Sequence, residues 1–170
     1  MTESPANETR AAIKIRPAIP RDITAIGRLG ALLVRLHHDL DPERFIAATP
    51  RTENGYGSFL RTQLDEPNTI VLVADRDGEV LGYSYADVEG NDYMSLRGPA
   101  GVVQDIVVDP ADRRNGVGRM LLDATLEALN ARGVPRVVLW TAERNVPAQR
   151  LFERTGFRRT MIEMTRELSD

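Results

Sequence analysis

The sequence predicts one mixed α/β domain in which helices cover both faces of a single sheet. Its 170 residues are 42% hydrophobic and 28% charged, ordinary values for a soluble chain the size of one domain. Short β-branched runs alternate with longer segments whose apolar residues recur every three or four positions, and these patterns are typical of strands and helices respectively. The order β-α-α-β-β-β-α-β-α-β indicates one mixed sheet.

The first half of the chain supplies three strands and two helices of this order. Residues 1–11 are polar and predict a flexible N-terminal tail ahead of a single domain at 12–170. Residues 13–16 alternate apolar and polar side chains, and Asp22 is expected to cap the first helix. The remaining elements are a weaker helix, a strand, a hairpin turn and a second strand, expected at 59–64, 70–74, 77–78 and 80–88.

The second half alternates strands and helices. A glycine-containing loop at 89–101 leads into a strand at 101–108, and the helix at 117–132 has an apolar face wide enough to lie buried on a sheet. Asn145 is placed to cap the last helix, which ends at Gly156. Two further strands are expected, a β-branched one at 136–141 and a final one at 157–168.

Composition excludes several classes of protein. The chain has 22 basic and 25 acidic residues, a net charge of −3, which argues against a nucleic-acid partner. It has no cysteine, which excludes disulfides and a thiol nucleophile and suits a cytoplasmic location. Two adjacent histidines leave little material for a metal cluster, so no metal is expected. No apolar run approaches the roughly 20 residues of a membrane helix, and no signal peptide is recognisable.

A glycine-containing loop before the third helix is the most informative segment. Residues 113–118 read Arg-Arg-Asn-Gly-Val-Gly, and a helix N-terminus with unpaired amides next to glycines can hold a diphosphate. The alternative is a tight turn with solvated arginines. Nucleotide-binding motifs fit poorly, because Arg119 replaces the Walker lysine and Leu121 replaces the third glycine of a dinucleotide fingerprint.

Two motifs together resemble the GCN5-related N-acetyltransferase (GNAT) family. The segment at 113–118 matches the family's Gln/Arg-x-x-Gly-x-Gly/Ala motif, and 145–157, Asn-Val-Pro-Ala-Gln-Arg-Leu-Phe-Glu-Arg-Thr-Gly-Phe, matches its second motif. With the opening strand and helix, the resemblance covers about residues 13–167. It implies a central, mostly antiparallel sheet with one splayed parallel pair of strands.

The resemblance also implies acetyl-CoA as co-substrate, lying between strands 101–108 and 136–141. Main-chain groups of Ile106, Val107 and Val108 would pair with the pantetheine arm, and an amide near Val107 would hold the oxyanion of the tetrahedral intermediate. The side chain of Asn145 would reach the pantetheine, or would serve only as a helix cap. The diphosphate would be held by the loop residues Arg113, Arg114, Asn115, Gly116, Val117, Gly118 and Arg119.

Two positions depart from the family pattern. Phe152 stands where many members have a tyrosine beside the cofactor that protonates the departing thiolate. Gln104 stands where many have a glutamate base, and the next residue, Asp105, is a carboxylate. Strand alternation places the two on opposite faces, so only one can face the site unless a bulge intervenes. An acid inside an apolar strand costs free energy unless it is paired. We therefore favour a catalytic Asp105 over a structural one.

The acceptor side is less defined. His37 and His38 end the first helix near the segment that lines the acceptor site in the family, although two histidines near a helix C-terminus are also favourable there. Tyr83 and Tyr85 share one face of their strand and could offer a hydroxyl to substrate, or could pack in the core.

The function expected from these residues is acetyl transfer from acetyl-CoA to a primary amine by direct attack. The acceptor is a small-molecule or peptide amine, and a homodimer is possible. Two alternatives remain: a non-catalytic CoA-binding module, which the missing tyrosine favours, and an enzyme that uses a longer acyl group.

Overall fold

The computed structural model describes residues 11–168, so most of the predicted N-terminal tail lies outside the described residues. Within that range the chain forms a five-stranded sheet and four α-helices. In chain order they are β1 (Lys14–Pro17), α1 (Ile23–Leu40), α2 (Thr52–Gln63), β2 (Thr69–Arg76), β3 (Glu79–Glu89), β4 (Ala100–Val108), α3 (Val117–Ala131), β5 (Val137–Leu139) and α4 (Val146–Arg154). None of the helices described is long and apolar enough to cross a membrane.

The sheet confirms the predicted fold class. Its strands lie in the order β1-β2-β3-β4-β5. Neighbours are antiparallel except for β4 and β5, which pair in parallel over only three residues each. The β2–β3 hairpin turns at Asp77 and Gly78, whose φ angles of 54° and 88° lie in the left-handed region that a type I′ turn requires.

Apolar residues cover both faces of the sheet. On one face, Ile26 and Leu29 of α1 and Leu60 of α2 pack against the sheet; on the other, Leu121 and Leu129 of α3 do so. Burying these two apolar layers supplies the main driving force for folding. The sheet is therefore a rigid partition between an α1/α2 side and an α3 side.

An ion-pair network fixes the start of α1. Asp22 is 3% exposed, and Arg16 of β1 joins it at 2.7 Å and Asp75 of β2 at 2.6 Å. Burial alone would raise the pKa of Asp22, but hydrogen bonds from Arg16 and from the Ile19 amide hold it below its usual value. Asp22 precedes α1 as predicted, yet its side chain does not cap the amides of that helix.

Three predictions about the extent or the presence of an element were wrong. The second helix begins at Thr52 rather than at 59, and β5 is limited to Val137–Leu139. The final strand expected at 157–168 is absent, since these residues form no strand in the structure. An alternating pattern becomes a strand only where a neighbour completes its hydrogen bonds, and within the described residues these twelve have no such neighbour.

Candidate active site

A bulge in β4 turns Asp105 toward α1 and α2. Tyr85 of β3 lies opposite Asp105, and Ala86 lies opposite Val103, which leaves Gln104 as the extra residue. Val103 packs on the α3 side of the sheet. Strict alternation would put Asp105 on that same face, and the extra residue moves it to the opposite one. The bulge that the sequence left open is therefore present.

The Asp105 carboxylate is partly buried and lies between two tyrosine hydroxyls. Its Oδ2 accepts hydrogen bonds from Tyr56 at 2.7 Å and from Tyr83 at 2.9 Å. Burial raises the pKa of Asp105; the two hydroxyls and the nearby His37 oppose this effect without cancelling it. Burial and the carboxylate together raise the pKa of both tyrosines, so their hydroxyls stay protonated at neutral pH and can donate these hydrogen bonds.

Tyr56 was missed by sequence reasoning. It lies on α2, 49 residues before Asp105, and its ring occupies a hollow that only a glycine at position 30 of α1 allows. A Cβ atom on Gly30 would lie 2.2 Å from the Tyr56 ring, and one on Gly27 would lie 2.5 Å from the Glu53 carbonyl oxygen. Glycine inside a helix costs about 1 kcal/mol relative to alanine. Two glycines in one helix were therefore a signal that another element approaches closely.

Aromatic and acidic side chains continue from Asp105 along β3 and α2. The Tyr85 hydroxyl donates to Gln63 at 3.3 Å, and the Tyr85 ring meets that of Phe59 edge-on at 5.9 Å. Gln104 donates to the Asp87 carboxylate at 3.1 Å. Burial raises the pKa of Asp87 above its ordinary value. Phe59, Tyr85 and Asp87 form the candidate acceptor surface. Gln104 thus lies beside it, and its amide supports the Asp87 carboxylate.

The two histidines support the segment that follows α1. His37 Nδ1 donates to the Leu33 carbonyl and His38 Nδ1 to the Phe45 carbonyl, both at 2.9 Å, and the His37 ring lies 5.0 Å from that of Phe45. Each imidazole therefore uses one nitrogen locally. His37 also acts electrostatically on Asp105, which places it at the edge of the same cluster.

On the β5 side of β4, a stretch of backbone lies beyond the parallel pairing. The pairing with β5 ends at Val103. The Asp109 amide donates to the Leu81 carbonyl of β3 at 2.8 Å, so by ladder alternation the Val107 amide also points toward β3. The main-chain groups left open are those of Ile106 and the amide of Val108, because the Val108 carbonyl accepts a hydrogen bond from Arg113. The oxyanion role expected of the Val107 amide does not fit this alternation.

The loop before α3 has the shape of an anion cradle. Arg114 and Gly116 have φ angles of 65° and 79°, and Arg113 donates to the Val108 carbonyl at 3.3 Å. A Cβ atom on Gly118 would lie 3.6 Å from Leu151 and Val108, so the protein itself does not require glycine there. Amides and positive charge at this helix N-terminus fit a diphosphate.

The other predicted cofactor residues lie around this loop. Val117 is buried, so only its amide can face a ligand, and Arg119 is paired with Asp123 at 2.6 Å. Asn115 is exposed. Asn145 accepts a hydrogen bond from the Ala148 amide at 3.4 Å, which confirms its capping role.

Phe152 lies on α4 facing the core. It is 6% exposed, and its ring meets Phe157 at 6.0 Å. Within the described part of the chain no tyrosine takes its place on α4, and its ring has no proton to give. The acid role that many family members give to a tyrosine here is therefore not open to Phe152.

The match to a family model decides how this site is classified. Residues 33–157 match the model described as the acetyltransferase (GNAT) family. The chain belongs to the GNAT family. This confirms the resemblance carried by the two motifs, and the mixed sheet with one parallel pair is the fold expected of it.

Relatives and solved structures agree with this assignment. A mycothiol acetyltransferase of Thermobispora bispora is 38% identical over 97 residues, 55% of this chain and 31% of that protein. One of Clavibacter michiganensis is 27% identical over 93% of this chain and 54% of that protein. The chain thus spans between about a third and half of the length of these relatives.

Among solved structures, a mutant protein from Bacillus halodurans has a TM-score of 0.81 at 21% identity, over 92% of this chain and 99% of that one. Aminoglycoside N-acetyltransferase AAC(6')-Iy in complex with CoA has a TM-score of 0.70 at 18% identity, over 98% of this chain and all of that one. At such identities the likeness shows the fold alone.

Proposed function

We propose that this GNAT domain transfers an acetyl group from acetyl-CoA directly to a primary amine of a small molecule. The observation that carries the proposal is the partly buried Asp105 carboxylate, which the β4 bulge turns to the α1/α2 face where the parallel pairing ends. The strand that carries this ionisable group thus also leads into the candidate diphosphate loop at 113–118. An acyl transfer that uses no protein nucleophile needs both.

Asp105 is suited to removing a proton from the acceptor. Most amines are protonated at neutral pH and must lose a proton before they can attack. A carboxylate whose pKa is raised toward neutrality is a better base than an ordinary aspartate. Its Oδ2 is engaged by Tyr56 and Tyr83, which leaves Oδ1 to take the proton, directly or through water.

The cofactor would lie along the edge of β4 that faces β5, whereas the Asp105 side chain points to the α1/α2 face of the sheet. The main-chain groups of Ile106 and the amide of Val108 are open toward β5, and the loop amides from Arg114 to Gly118 would hold the diphosphate. Asn145 keeps its amide nitrogen for the pantetheine while its oxygen caps α4. Acetyl-CoA supplies the activated thioester, and the chain positions it and moves the protons.

Departure of the thiolate does not require a tyrosine at position 152. A thiol has a pKa of about 8.5, so its anion is a fair leaving group near neutral pH. Burial holds the pKa of Tyr56 and Tyr83 above the ordinary value of a phenol, which makes both hydroxyls weak acids. Water or the protonated acceptor nitrogen can supply the proton that a tyrosine at position 152 would have given.

The acceptor class follows from the side chains beside Asp105. Phe59, Tyr85 and Asp87 offer aromatic surface and negative charge, which favour a cationic amine with a small polar scaffold. The relatives named for mycothiol and aminoglycosides point the same way. His37 and His38 would border this acceptor. The homodimer and the cytoplasmic location belong to the same proposal.

A panel of amines tests the proposal directly. The purified chain is mixed with acetyl-CoA and with aminoglycosides, amino sugars, polyamines or short peptides, and CoA release is followed with a thiol reagent. The chain has no cysteine, so the protein adds no background. We expect CoA release with at least one amino sugar and an acetylated amine by mass spectrometry. Tight CoA binding without turnover on any amine would instead identify a binding module.

A further inference from the structure

Positive charge is concentrated on and around helix α4. The chain as a whole has a net charge of −3, yet residues 144–159 hold five arginines and a single glutamate. Arg144 donates to the Leu40 carbonyl at 3.0 Å, and Arg159 pairs with Glu153 at 3.2 Å. Within the described residues, no acid pairs with the other three arginines of this stretch, which are Arg150, Arg154 and Arg158.

Two of these arginines are neighbours on one flank of α4. Arg150 and Arg154 are both exposed and lie four residues apart, a spacing at which side chains adjoin on a helix surface. Like charges at this spacing destabilise a helix. The helix dipole favours a cation in the last turn, which accounts for Arg154 but not for Arg150, one turn earlier. This flank therefore carries positive charge that an anion from outside the chain can neutralise.

The flank adjoins the N-terminus of α3. Leu151 is its nearest link, because a Cβ atom on Gly118 would lie 3.6 Å from the Leu151 side chain. At 3.6 residues per turn, Arg150 and Arg154 point roughly 100° and 60° to the same side of Leu151. Gln149 and Glu153 point away from Leu151 and are bound by Arg159. The two unpaired arginines thus lie next to the loop at 113–118.

We propose that Arg150 and Arg154 bind the 3′-phosphate on the ribose of CoA, so that the chain prefers CoA to its 3′-dephosphorylated form. The inference rests on the cofactor site of the proposed function. CoA carries its diphosphate and its 3′-phosphate on the same ribose, so a diphosphate held at 113–118 brings the second anion within reach of an arginine on α4. A phosphate monoester has a charge of about −1.5 to −2 at neutral pH, and guanidinium groups bind such oxygens by charge-assisted hydrogen bonds.

The two anions of the cofactor would be held by different groups. The diphosphate would meet main-chain amides at the start of α3, where glycines permit close approach. The 3′-phosphate would meet only the flexible side chains of Arg150 and Arg154, which remain exposed. An exposed ion pair is weak, so we expect each arginine to improve affinity by roughly two- to fivefold. The expected effect is a preference between two forms of the cofactor, superimposed on diphosphate binding.

Calorimetric titration with CoA and with 3′-dephospho-CoA tests this preference. At low ionic strength, wild type should bind CoA about fivefold or more tightly than dephospho-CoA, and the ratio should fall as salt is added. Arg150→Gln/Arg154→Gln should bring the ratio close to one by weakening CoA binding alone. Glutamine is nearly as good a helix former as arginine, so the circular dichroism and the melting temperature of this variant should match those of wild type.

Arg159→Gln is the matched control, because it also removes one positive charge beside α4 but from the flank that faces away from Leu151. Its ratio should equal that of wild type. A wild type that binds both forms equally, or a double variant that keeps the wild-type ratio, would overturn the assignment of Arg150 and Arg154. Either result would leave the proposed function intact as long as CoA still binds. A wild type that binds neither form would overturn both.

Discussion

Asp105 lies where a carboxylate is costly. A buried, ionised acid must be stabilised by hydrogen bonds or be neutralised, and Asp105 has two tyrosine hydroxyls but no basic partner at ion-pair distance in the described structure. Its raised pKa records the part of that cost that the hydroxyls do not offset. A purely structural role would be filled as well by asparagine, without the charge.

The tyrosine hydroxyls should set the acid limb of the pH–rate profile. Each one stabilises the ionised form of Asp105, so Tyr83→Phe should raise the pKa of Asp105 further and move the acid limb of kcat/KM to higher pH. The direction follows because the base acts only when deprotonated, and activity is lost as the pH falls through its pKa. Tyr56→Phe should act in the same direction. The measurement is kcat/KM from pH 4 to 9 with the best amine of the panel.

Tyr85→Phe is the matched control for that series. It removes a hydroxyl from the same strand face, but one that donates to Gln63 rather than to Asp105. Its acid limb should stay close to that of wild type. An acid limb that is the same in Tyr56→Phe, Tyr83→Phe and wild type would mean that Asp105 is not the titrating base.

Sequence reasoning reached some of these residues and not others. Asp105 was singled out because it is the only acid within the apolar strand at 101–108, a local signal. Tyr56 was not, because its role depends on the close approach of α1 and α2 that Gly27 and Gly30 allow. Pairings between distant segments leave little trace in the local pattern. Val107 was expected to offer its amide, and only the register with β3 shows which way that amide points.

Among the elements, the first four strands were predicted to within two residues, and the two strands expected after α3 were not. β4 matches its prediction to within one residue, whereas β5 is half as long as predicted and residues 157–168 form no strand. Alternation indicates that a segment can be a strand, but a partner decides whether it is one.

The N-terminus of α3 should control cofactor affinity. Gly118→Val places a branched side chain between this helix end and Leu151, where the protein leaves ordinary contact distances, and should weaken CoA binding at least tenfold, about 1.4 kcal/mol. Calorimetric titration with CoA measures it. Gly55→Val provides the control. Gly55 is a helical glycine like Gly118, and a Cβ atom added to it would have no atom within 4 Å. This variant should leave CoA affinity unchanged. Equal affinities in both variants would place the diphosphate elsewhere.

Across the whole molecule the sheet separates two tasks. The α1/α2 side carries Asp105 with Tyr56 and Tyr83, and the α3 side carries the glycine loop at 113–118. The two sides can meet where the β4–β5 pairing ends. The one-residue bulge at Gln104 lets β4 contribute to both sides. Under the proposed function, this division brings an amine and a thioester together from the two sides of the sheet without a protein nucleophile.

The most direct test of the account is the turnover of Asp105→Asn with a saturating amine and acetyl-CoA. We predict a kcat lower by on the order of 10²-fold or more, with unchanged CoA affinity and a melting temperature no lower than that of wild type. Glu127→Gln, which removes one acidic charge from the exposed surface of α3, should keep wild-type turnover. An Asp105→Asn protein that keeps its kcat and melts several degrees lower would make Asp105 a structural residue and contradict the account.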